Sequence, residues 1–181
     1  MHPRSFCLLV ALLSISAPLA SISAAEPGAQ IKRLDWLIGD WTFDDQQLAG
    51  DYRETGTRTC LYVLDQRYIR CESVGTSHTG KRREYSFYFG YNERDERFEM
   101  IGMTSSFPLQ NLFTLTVSDD ARQIDLTGHF FTGDGIKADN SATIVYNGHD
   151  QYVWSIRTGR PDPETGAHPV TFQDTATRVQ K

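Results

Sequence analysis

Residues 34–42 read Leu34-Asp35-Trp36-Leu37-Ile38-Gly39-Asp40-Trp41-Thr42, and the rest of the chain is organised around them. Ile31, Leu34, Leu37 and Ile38 recur at intervals of three and four, which predicts a short helix over Ile31–Ile38. Gly39 follows at once. Glycine takes backbone angles closed to other residues, which suits a sharp change from helix to strand. Trp41 is then the first large inward side chain of that strand, placed to plug the end of whatever the strands enclose.

Beyond Gly39 there is no second helical period. Short β-rich runs alternate instead with Gly, Asp, Asn and Pro clusters. Thr57–Leu64 and Arg67–Val74 read as a hairpin turning at Asp65-Gln66, in a register that sets Cys60 opposite Cys71. Glu84–Tyr91 and Arg97–Thr104 form a second pair. Tyr85, Phe87, Phe89 and Tyr91 share a face by parity, and pairing Tyr91 with Phe98 adds Phe98 and Met100 to it. Tyr88, Ile101 and Met103 fall on the opposite face. The same alternation groups Phe113, Leu115 and Val117; Ile124, Leu126 and Phe130; Ala142, Ile144 and Tyr146; and Tyr152, Trp154 and Ile156. Asn147-Gly148 is a hairpin signal. A proline-rich loop at 158–169 precedes a last strand, Val170–Val179, with Phe172, Asp174, Ala176 and Arg178 on one side. About ten strands in an antiparallel meander either expose two edges or close on themselves; closure removes the edges and leaves room inside for a small molecule. The expected fold is all-β: a barrel of about ten strands with a short N-terminal helix.

With 181 residues, one domain follows the leader. Arg4, the apolar run Phe6–Leu13 and Ser23-Ala24-Ala25 have the layout of a secretory signal peptide over residues 1–25, cleaved near Ala25, leaving a barrel domain over 26–181. Its apolar run is too short to span a bilayer, so the product is secreted or periplasmic. Of 18 basic residues the leader removes Arg4, leaving 17 against 23 acidic ones. A mildly acidic chain without a basic stripe is a poor partner for nucleic acid or an anionic membrane surface. Lys81-Arg82-Arg83, followed by Glu84, reads as a solvated loop or a docking patch, and Asp44-Asp45 and Asp119-Asp120 as solvated turn residues. Cys60 and Cys71, an even count in an exported chain, favour a disulfide over two reduced thiols or a metal pair.

At this level of detail the chain resembles the lipocalins and other calycin barrels. Gly39-Asp40-Trp41 matches their Gly-x-Trp signature. The resemblance implies that Trp41 packs across the closed end with an Arg from the last strand beside it, the place held here by Arg178. More closely, Leu34–Trp41, Phe89-Gly90-Tyr91-Asn92, Trp154-Ser155-Ile156-Arg157 and Thr177-Arg178 resemble a bacterial lipocalin-like family, for which no activity is implied.

Chemistry-bearing candidates are few. Tyr85, Phe87, Phe89, Tyr91, Phe98 and Met100 are a candidate ligand-binding wall, or ordinary core. An inward Tyr85 or Tyr91 would need a polar partner such as Asp174. Asp174 and Arg178 are the candidate buried charged pair, for acid–base work or as a structural ion pair. Gly39, Trp41 and Arg178 are read as structural. Some related barrels hold haem through a histidine. Here His129 points outward by parity unless Gly128 bulges, and His78, His149 and His168 fall in loops, so no cofactor is expected, with haem the lesser alternative. Metal-ligand spacings are absent, and no metal is expected. The leading expectation is a barrel binding a small apolar or amphipathic molecule, against an enzyme on the same barrel (isomerase, cyclase or hydrolase) or a structural protein with a filled core.

Overall fold

The computed structural model describes residues 28–131, 137–148, 150–158 and 161–180. The leader, the 132–135 loop and His149 lie outside them, as does the side chain of Phe130. A 3₁₀ helix, Ile31–Leu37, leads into ten strands: β1 Gly39–Gln47, β2 Arg53–Val63, β3 Tyr68–Ser77, β4 Arg82–Asn92, β5 Arg97–Thr104, β6 Phe107–Val117, β7 Gln123–Phe131, β8 Lys137–Gly148, β9 Gln151–Arg157 and β10 Val170–Arg178. Each pairs antiparallel with the next and β1 pairs with β10, so the meander is a closed barrel. The helix is tighter than an α-helix and kinked at Leu34, yet Ile31, Leu34 and Leu37 are all buried.

Registers follow the alternation of apolar side chains, because a slip of one residue would turn every inward group to solvent. Cys60 lies opposite Cys71 and Tyr91 opposite Phe98, as the hairpin readings require. The Cys60–Cys71 disulfide is formed and buried; such bonds persist in oxidising environments. No helix among the described residues is long and apolar enough to cross a membrane.

Two charged segments depart from the sequence reading. Asp44-Asp45 is not a turn but the middle of β1, with Asp44 outward on Arg53 and Asp45 facing in. Arg82 and Arg83 belong to β4 rather than to a solvated loop; Arg83 turns inward onto Glu54, 3.0 Å away. Charge at these positions argued for solvent, but a barrel interior presents polar partners that a local reading does not contain.

Candidate functional site

The interior divides into two zones. At the helix end, Trp41 is fully buried and its indole N–H donates to the Leu37 carbonyl at 2.9 Å. Arg178 lies over its ring at 4.1 Å and donates to the carbonyls of Ile38 (2.6 Å) and Trp36 (2.8 Å) and to Asp150 Oδ1 (3.0 Å). Gly39 sits at φ 135°, and a Cβ there would meet Arg178 Nη1 at 2.3 Å. Only glycine satisfies both the angle and the approach. Phe89, Phe98 and Tyr91 belong to this end, where the Tyr91 and Phe98 rings meet edge to face with centroids 5.0 Å apart. Three of the six wall candidates therefore fill the plugged end.

The other three, Tyr85, Phe87 and Met100, line a cavity of about 500 Å³ in the opposite half. The division runs through strand after strand: Phe43 but not Trp41, Arg58 but not Cys60, Phe113 but not Leu115, Trp154 but not Tyr152, Asp174 but not Ala176. Met103, placed outside by parity, also reaches the lining, because β5 shifts register against β6 between Met103 and Thr104. None of the described side chains that line it is a histidine.

The floor is an ion pair that the sequence reading assigned differently. Asp174 does not meet Arg178. They share a face of β10 but are four residues apart, about 13 Å along a strand. Arg58 takes the place instead: Nη2 donates to Asp174 Oδ2 at 2.6 Å, Nη1 to the Tyr152 hydroxyl at 2.5 Å and Nε to Ser73 at 2.8 Å. The rings of Phe43, Phe87, Tyr152 and Trp154 surround the guanidinium at 5.1–5.9 Å. Burial alone would weaken the charge on Arg58, but Asp174 and Tyr152 outweigh it and hold the group protonated. Arg58 precedes Cys60 by two within the strand read over Thr57–Leu64, so parity alone places it inward, and extending that strand upstream by the same parity reaches Glu54.

Three carboxylates form a cross-strand row, with Asp45 of β1 opposite Asp174 on one side and Glu54 on the other. Glu54 Oε2 accepts from Tyr52, Tyr85 (3.1 Å) and Arg83 (3.0 Å). Burial raises the Glu54 pKa against the opposing Tyr85 hydrogen bond, and Asp174 adds to the rise. Gly75 makes the space: a Cβ there would lie 2.0 Å from Glu54 Oε1. Asp45 is pushed up to about 7, first by burial and then by the charges of Asp174 and Glu54. Most of the buried side-chain polar atoms that lack a hydrogen-bond partner face this cavity, among them Asp45 Oδ1, Glu54 Oε1, Asp174 Oδ1 and Trp154 Nε1. Such atoms are costly unless something pairs with them. Among the described residues no three His, Cys, Asp or Glu side chains gather closely enough to hold a metal ion.

No family model matches the chain and no curated protein does; of the lipocalin-like resemblance, the structure shows the closed ten-strand antiparallel barrel and not the family. Solved structures that the chain matches include a de novo designed fluorescence-activating β barrel, at 12% identity and TM-score 0.41, covering 81% of this chain and 96% of that one. A redesigned β barrel bound to DFHBI matches at 14% identity and TM-score 0.41, over 81% and 98%. Another redesigned barrel matches at 9% identity and TM-score 0.45, over 82% and 96%. Likeness this distant carries no function.

Proposed function

We propose that this chain is an exported barrel that holds a small amphipathic molecule in the cavity opposite the Trp41 plug. One observation carries the reading: the cavity combines an apolar wall (Phe43, Phe87, Met100, Phe113, Trp154) with a concentrated set of unpartnered polar atoms. Small-molecule sites have this composition, an apolar enclosure with a few placed polar groups. A cavity of about 500 Å³ falls within the range such sites occupy. The disulfide and the signal-like residues 1–25 support export and cleavage near Ala25. The proposed occupant is an organic molecule and neither haem nor a metal ion.

Native mass spectrometry of the protein purified from its own host tests this. A small molecule that leaves on gentle unfolding is the expected result. A barrel that always arrives empty, with tryptophan fluorescence unmoved by any amphiphile in a broad panel, would overturn the reading.

A second reading, an acid–base enzyme on the same barrel, has one observation in its favour. Asp45 lines the cavity with Oδ1 unpartnered, and burial with the charges of Asp174 and Glu54 pushes it up to about 7, where a general base operates near neutral pH. Conversion of the captured molecule on incubation would select it; release unchanged selects the carrier.

A further inference from the structure

The cavity's charges are not balanced from within. Of the five charged side chains that line it, Arg58 is committed to Asp174 at 2.6 Å, and Arg83 is paired through Nη1 with Glu54 at 3.0 Å while its buried Nε has no acceptor. That leaves Asp45 without a cation of its own, directly between the two paired carboxylates. Its outward neighbour Asp44 adds further negative charge and is engaged by Arg53 on the outer surface. Tyr52 and Tyr85 are both spent on Glu54. Each carboxylate of the row keeps one unpartnered oxygen, and Glu54 and Asp174 are only 1% and 5% exposed. Separately, Trp154, 8% exposed, has an indole N–H with no acceptor. The acids call for a donor with positive charge, and the indole for an acceptor elsewhere on the same molecule. The Phe172 ring, which also lines the cavity, suits a cation as well.

From this arrangement we infer that the natural occupant is an organic cation: a protonated amine on an apolar skeleton bearing an oxygen acceptor, its ammonium seated against Asp45 and flanked by Glu54 and Asp174. This rests on the cavity-binding reading and names the ligand class. The row does not close on a metal-sized centre, whereas an ammonium is larger and makes its hydrogen bonds at longer range. Binding is linked to the proton on Asp45. Below pH about 7 that carboxyl is protonated and offers less to a cation, and above it the carboxylate is free. Affinity for the amine therefore rises with pH through about 7, with release of a proton on binding.

Titration calorimetry with 4-(4-methoxyphenyl)butylamine, the matching butan-1-ol and the matching butanoate tests the inference on one carbon skeleton. The expected order is amine tighter than alcohol by about tenfold or more, with the butanoate weakest. Asp45→Asn should bring the amine's affinity down to that of the alcohol measured on the same variant and abolish the proton release. That variant deletes a carboxylate repelled by its neighbours, so the fold is retained. Equal binding of all three, or a preference for the butanoate, overturns the cation inference and leaves the cavity reading standing. Failure of all three to bind overturns the cation inference, and the cavity reading falls with it only when the host-purified barrel is also empty and the broad panel also leaves it unmoved.

Discussion

Trp41, Arg178 and Gly39 form one unit. The indole fills the barrel end, the guanidinium covers it while tying two carbonyls of the helix to β10, and the missing Cβ makes the approach possible. Trp41→Ala should cost about 3–5 kcal/mol in urea unfolding, the range for deleting a large core side chain. Arg58 is a different case. Arg58→Met leaves Asp174 buried without its cation and should cost about 3–5 kcal/mol, while Asp174→Leu added to it should recover most of the loss. If the double variant were no more stable than the single one, the ion pair would not be what holds the floor. Asp45 supplies a pH test. Its folded pKa, about 7, is raised above the ordinary value of 3.8. The folded state therefore binds more protons than the unfolded state between those values, and stability falls as pH rises through that window. Asp45→Asn should flatten the slope of urea midpoint against pH between about 4 and 7. Wild-type and variant curves of equal slope would show that Asp45 does not titrate there.

The β2–β3 hairpin is the most constrained element. The disulfide joins residues 11 apart in sequence, directly opposite in the ladder. Replacing Cys60 and Cys71 together by Ser should cost about 2–3 kcal/mol, by the loop-closure entropy a bridge removes from the unfolded chain. Chemical denaturation with and without reductant checks the same quantity in the wild type. β1 is the element that serves both zones. One parity of one strand carries Trp41 into the plugged end and Phe43, Asp45 and Gln47 into the cavity. Its Asp44-Asp45 pair suggested a turn because adjacent acids favour turns in isolation. In the sheet, alternation sends one acid out to Arg53 and the other in.

Across the whole molecule, closure of β1 on β10 is what makes an interior. A chain ending before Val170 would lose both Arg178 and that seam, exposing β1 and β9 as unpaired edges. It should run as oligomer or aggregate in size-exclusion chromatography, since open edges pair with other chains. The alternation of side chains, the hairpin registers, the opposed cysteines and the Trp-and-glycine start are local features, with a period of two or a turn of a few residues, and the sequence by itself determined them. It also placed Tyr85, Phe87, Met100 and Asp174 inward. What it did not contain is who meets whom across the barrel. Arg58 reaches Asp174 from 116 positions away, and Glu54, Asp45 and Asp174 form a row because the last strand pairs with the first. The position of the cavity, and the charge left unmatched in it, depend on the stagger at which the sheet closes. That stagger is fixed by packing and pairing summed over ten strands, so no local stretch of the chain encodes it.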